Sequence, residues 1–130
     1  MGNKWKGTFE VEILGETYTL RPSFDAMCEF EEKTGFAVPE AHKMMGDGKT
    51  SFKIVAAAVW AGIKGESYAR QDSKMCPSFS VIGEKMRREG IQNCAVYAMQ
   101  FLSYGLIPED ALKEMSEAEE SEKKPKPTDE

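Results

Sequence analysis

Histidine is all but missing from this sequence, with His42 the single one among 130 residues. A Cys–His nucleophile pair or a zinc site would have to be built around it. Nothing in the spacing brings Cys28, Cys76 or Cys94 to His42, so it reads as a histidine on a surface or helix flank. The three cysteines are odd in number and widely separated, which makes neither a disulfide framework nor a metal knuckle. Free thiols of this kind suit a reducing cytoplasm, and on an apolar helix face they act as small hydrophobes. No apolar run approaches the roughly 20 residues that a membrane span needs, and the N-terminus has no secretory h-region. Excess positive charge is lacking too. Against 22 Asp and Glu stand 17 Lys and Arg, and the net charge of −5 disfavours nucleic acid or a membrane surface as partner.

Patterns that carry chemistry are equally thin. Gly46-Asp47-Gly48-Lys49-Thr50 ends as a phosphate loop does, but the earlier glycine would fall at Lys43 and no hydrophobic strand precedes it. It reads as a turn. Glu29, Glu31 and Glu32 form an acidic helix face beside Lys33, and a solvated face is the simpler reading than an acid–base pair. Lys85, Arg87 and Arg88 stand where cations relieve a helix dipole, with no interleaved aromatics to make a nucleic-acid site. No catalytic residue, metal site or cofactor is expected.

What is present is the composition of a globular domain, 41% hydrophobic and 30% charged. One domain over residues 1–115 accommodates it. Residues 8–21 alternate as a β-hairpin, with Gly15-Glu16 suited to a two-residue type II′ turn. That turn places Ile13 opposite Tyr18, Val11 opposite Leu20 and Phe9 opposite Pro22, with Glu10 against Arg21 on the other face. Ser23 then caps a helix whose apolar face carries Phe24, Met27 and Cys28, and Gly35 stops it.

Further helices follow from punctuation and periodicity. Pro39 opens one that ends near Met45, before the Gly46–Gly48 turn. Thr50 or Ser51 caps a helix with Phe52, Val55, Ala56, Val59, Trp60 and Ile63 as its core stripe, ended by Gly65. Residues 66–77 read as a long loop. Ser78 or Ser80 starts a helix with Phe79, Ile82 and Met86 inward, and Gly90 stops it. Ile91, Cys94, Ala95, Ala98, Phe101 and Leu102 mark the next, closed by Gly105. Pro108 opens a last one through Met115, anchored by Leu112. The fold class expected is α+β, an N-terminal antiparallel β-hairpin packed on a bundle of four to five α-helices. Residues 1–7 read as a loose lead-in, and residues 116–130 as a disordered acidic tail without a large apolar side chain.

The stretches Tyr18–Ala26, Glu31–Gly35, Ala61-Gly62 and Ile82–Ala95 resemble a family of phage and gene-transfer-agent tail proteins, over residues 7–106. The family comprises tail assembly chaperones, which some catalogues describe as tail tube proteins. None of these positions is catalytic. The resemblance implies a cytoplasmic binding protein that shields the tape-measure protein and helps recruit tail tube subunits. It also implies a second, longer product made by a −1 frameshift, for which Glu122-Lys123-Lys124 permits a slippery sequence. A tube or completion protein retained in the particle is the alternative, and a small cytoplasmic enzyme a distant third.

A two-stranded ribbon exposes unpaired backbone groups along its edges, so self-association or strand addition there is expected. Eight methionines are many for this length, and Met44 and Met45 lie near a loop, where methionine suits adaptable contacts. The residues expected to meet a partner are therefore Phe9, Val11, Ile13, Met44 and Met45.

Overall fold

Alternating residues on either side of Leu14-Gly15 fold into two antiparallel strands, β1 (Phe9–Ile13) and β2 (Glu16–Leu20), in the computed structural model, which describes residues 5–123. The register pairs Phe9 with Leu20, Val11 with Tyr18 and Ile13 with Glu16. It therefore slips by two residues from the pairing expected for a Gly15-Glu16 turn. Leu14 and Gly15 both have positive φ, 52° and 81°, as a type I′ turn requires. That turn matches the right-handed twist of the strands. A left-handed leucine costs roughly 1–2 kcal/mol, and a bond from its N–H to Glu89 Oε1 at 2.8 Å helps to hold it there. Because the pleat repeats every two residues, the slip keeps the same side chains inward. Val11, Ile13 and Leu20 are buried. Glu10 now faces Thr19, and Arg21 is released from the expected pairing.

The first helix, α1 (Phe24–Thr34), is capped by Ser23 Oγ, which accepts from the Ala26 N–H at 3.2 Å. Gly35 ends it with φ 78°, the left-handed position that glycine fills without a Cβ penalty. Its inward stripe is Ala26, Phe30 and Thr34. Phe24 and Cys28, expected inward, point to solvent instead, Phe24 at 80% exposure. The small Ala26 is needed where α1 meets the next long helix, and that choice turns positions 24 and 28 to the far side.

After α2 (Val38–Gly46), the central element is α3 (Phe52–Arg70), capped by Ser51 Oγ. Every residue from Ile54 to Ile63 is buried. Phe52, expected in the stripe, sits at the first helical position and is 59% exposed. Gly65 does not stop the helix. A Cβ there would lie 2.6 Å from the Arg21 carbonyl oxygen and 2.9 Å from Ala26 Cβ, and one on Gly62 would lie 2.5 Å from Leu20 Cγ. Both glycines serve close approach, and half of the expected 66–77 loop is helix.

A 3₁₀ turn at Ser73–Met75 leads to α4 (Phe79–Glu89), capped by Ser78 and stopped by Gly90, and then to α5 (Ile91–Leu106). Ile82 and Met86 of α4 are buried, as are Cys94, Ala98, Phe101 and Leu102 of α5. The last helix, α6 (Glu109–Lys123), runs beyond the end expected at Met115. Its sequence there is Ala, Glu, Ser and Lys, with no Gly or Pro before Pro125, so nothing local breaks it. The disordered-tail reading is thus corrected for 116–123, while residues 124–130 lie outside the described residues. The architecture is a hairpin on helices, six α-helices among the described residues rather than four to five. β2, α1, α4 and α5 all pack on α3, and α2 packs on α5.

Candidate functional site

The five residues expected to meet a partner do not form one surface. Val11 and Ile13 are 3% and 0% exposed, since the ribbon's apolar face is the one it must bury. Phe9 is half-buried and meets the Tyr104 ring edge-on, with centroids 5.0 Å apart. Met45 is buried and Met44 half-buried on α2, whose main neighbours are α5 and α1 rather than the hairpin. The side chains of Val11, Ile13 and Met45 are core, and as contact residues they are withdrawn.

The chain instead concentrates charge and aromatic rings beside the junction of β2, α1 and α3. Glu66, 2% exposed on α3, accepts from Arg21 Nε at 2.9 Å and Arg70 Nε at 2.5 Å. Burial alone would raise its pKa, but the two guanidinium hydrogen bonds and their charges outweigh it and hold the carboxyl below its ordinary value. The Arg21 N–H donates to the Gly62 carbonyl at 2.9 Å. The strand end is thereby tied to α3 through both backbone and side chain.

On the outer side of this junction lies an open cleft of about 360 Å³. Arg21 and Phe24 line it together with Tyr104, Ile107, Trp5 and Leu112. Trp5 is no loose lead-in. Its ring packs on Tyr104 at 5.0 Å and its backbone N–H donates to Ser116 Oγ at 2.9 Å. Leu106 and Met115, 42% and 45% exposed, are on the flanking helices α5 and α6. Phe24 is the most exposed large apolar side chain of the described residues.

A second groove of about 450 Å³ is lined by Glu29, Glu32, Lys33, Trp60 and Lys64. Lys33 and Lys64 place their Nζ atoms 4.8 and 5.0 Å from the Trp60 ring centre, within cation–π range. The Tyr68 hydroxyl donates to Glu29, and that bond is the main reason its pKa rises to about 12. The lysines of this groove thus rest on the Trp60 ring, and Glu29 is engaged by Tyr68.

The remaining candidates have partners of their own. His42 Nε2 is 3.0 Å from Ser103 Oγ. Glu31 Oε2 accepts from the Val38 N–H at 2.8 Å, fixing the entry to α2. Lys85 and Arg87 are in ion pairs with Glu16 and Glu84 at 2.5 and 2.8 Å. The Gly46–Lys49 segment is a turn bonded back to α2, Lys49 N–H to the Met44 carbonyl at 3.0 Å. Cys94 is buried, which pushes its thiol up to about 11, and burial also raises Cys76. Cys28, expected on an apolar face, is exposed. Among the described residues no three His, Cys, Asp or Glu side chains cluster as metal ligands, and no helix is long and apolar enough to cross a membrane.

The sequence held one overlooked signal for the junction. Glu66 follows the apolar run Ile54–Ile63 and stands four residues before Arg70, the i,i+4 spacing of a helical ion pair. The cleft had no such signal, because Trp5, Phe24 and Tyr104 come together from distant segments. Comparison with protein-family models, with curated proteins and with solved structures finds no match to this chain.

Proposed function

We propose that the chain is a tail assembly chaperone, a non-enzymatic binding protein of the host bacterial cytoplasm that shields apolar stretches of a tape-measure protein and helps recruit tail tube subunits. The cleft carrying Phe24 is the observation that best supports this reading. An exposed phenylalanine lining a cleft that also offers Trp5, Tyr104 and Ile107, with Arg21 and Glu109 as charged groups, suits an amphipathic helix. Fully burying one such side chain contributes about 1.5–3 kcal/mol. The resemblance to tail proteins supports it from a second side. Two of its separated stretches, Tyr18–Ala26 and Ala61-Gly62, pack on each other through Leu20 and the Arg21 N–H, which donates to the Gly62 carbonyl at 2.9 Å. Those residues build the scaffold that presents the cleft.

Co-expression with a tape-measure frame found in the neighbourhood of its gene tests the reading. The chaperone account expects the tape-measure protein to stay soluble in complex with this chain, and the chain to be missing from purified tails. Abundance of the chain in purified tails would favour the tube or completion reading. A gene neighbourhood without a tape-measure frame would remove the basis of both.

A further inference from the structure

The two outer edges of the hairpin are finished differently. In a two-residue I′ hairpin the residues flanking the turn exchange both hydrogen bonds, so Ile13–Glu16, Val11–Tyr18 and Phe9–Leu20 are the bonded pairs. The backbone groups of residues 10, 12 and 14 on β1, and of 17, 19 and 21 on β2, then point away from the ribbon. On the β1 edge the Tyr97 hydroxyl donates to the Glu12 carbonyl at 3.0 Å, and Glu89 accepts from the Leu14 N–H. Glu10 and Glu12 add charge there, a common guard against strand addition. On the β2 edge the Arg21 N–H is taken by Gly62. Thr17 and Thr19 carry no charge, and no other described residue bonds their outward groups.

We infer that this β2 edge is a self-association site, at which a second copy of the chain pairs its own β2 antiparallel about a two-fold axis through Tyr18. The sequence Thr17-Tyr18-Thr19 reads the same in both directions. Antiparallel pairing about Tyr18 therefore sets Thr17 of each copy against Thr19 of the other, in hydrogen-bonded pairs of β-branched residues. Tyr18 meets its symmetry mate at the close, non-bonded position, where offset aromatic packing is favourable. Glu16, the one charge at the end of the strand, is neutralised by Lys85, which also donates to the Tyr18 hydroxyl at 2.9 Å. It would stand opposite Leu20 of the other copy, so no like charges face each other. The pairing stands apart from the chaperone reading and survives its failure. Five residues per strand make a small interface, so the dimer is weak and concentration-dependent.

Sedimentation equilibrium over a range of concentrations, with the doubly substituted variant T17K/T19K alongside, tests the inference. Thr17 is exposed and Thr19 half-buried, both on the face away from the core and opposite Glu12 and Glu10 within the hairpin, so the variant keeps its fold, which a thermal melt checks. Across the axis each lysine faces a lysine. The wild-type mass should rise from 14.5 kDa towards twice that value, and the variant should dimerise at least tenfold more weakly. Amide exchange at Thr17 and Thr19 should slow with wild-type concentration while exchange at Glu10 stays unchanged. A wild type that remains monomeric, a variant that dimerises as well as the wild type, or concentration-independent exchange at Thr17 and Thr19 overturns the inference.

Discussion

The seam where β2 and α1 meet α3 and the cleft on its outer side share Arg21 and Ser23, yet they are built by opposite means. The seam is made of residues that take no room. Gly62 admits Leu20, Gly65 admits the Arg21 carbonyl, and Ala26 lies flat between them. The cleft carries three large rings, those of Trp5, Phe24 and Tyr104, among smaller residues such as Gly7 and Gly105. In the seam the missing side chains allow backbone contact and a buried ion network. In the cleft the rings overhang and leave one phenylalanine in water. Small residues in a buried helix report a fold, whereas a large apolar residue left outside reports a surface awaiting something.

The sharpest break in this contrast comes from two helical glycines. A Cβ at Gly65 would strike backbone at 2.6 Å, while at Gly83 it would meet only Ala56 Cβ at 3.8 Å. Gly65→Ala should destabilise by about 1–3 kcal/mol through overpacking. Gly83→Ala should stabilise by roughly 0.5–1 kcal/mol through helix propensity. Urea titration of both variants checks the opposite signs. Equal effects would mean that Gly65 is an ordinary helical glycine.

A smaller effect is expected at Glu66. Its folded pKa lies below its ordinary value, so the stability it contributes is complete above its unfolded-state pKa, about 4.3. That contribution is lost as pH falls from there through the lowered folded value. Glu66→Gln should cost about 1–2 kcal/mol at neutral pH, because Arg21 and Arg70 remain partly solvated. The gap between wild type and variant should close on acidification. Thermal melts at pH 7 and well below the unfolded-state pKa, at about pH 3, read it directly, and a gap that widens in acid would contradict the assignment.

The smallest effect belongs to the C-terminal end. Removing residues 117–130 leaves Leu112 and the Trp5–Ser116 bond in place, so stability should change by under about 0.5 kcal/mol. A larger loss, measured in the same urea titrations, would show that the end of α6 supports the cleft.

Local signals carried the hairpin, the Ser23, Ser51 and Ser78 caps and the Gly35 and Gly90 stops, because each of these works within four residues. Failures arose wherever a distant contact decided. Gly65 looks like a stop until Arg21 is brought beside it. Phe24 and Phe52 fit an apolar spacing, but the first turn of a helix rotates freely until packing fixes it. The slip of the hairpin followed from turn chemistry, since Leu14 is a poor candidate for positive φ until Glu89 is there to hold its N–H. The contact residues named from hydrophobicity, Val11, Ile13 and Met45, failed because the same apolarity drives burial.

The claim that the cleft, and not the seam, is the working surface rests on Phe24. Phe24→Glu separates the two roles, since a carboxylate in the first turn of α1 favours the helix dipole and leaves the seam untouched. The measurement is a titration of wild type and variant against the soluble tape-measure segment, with melting temperatures recorded on the same samples. The account predicts equal or slightly higher melting for the variant and affinity reduced by about tenfold or more. Unchanged affinity in the variant, or a wild type that does not bind the segment, would contradict it.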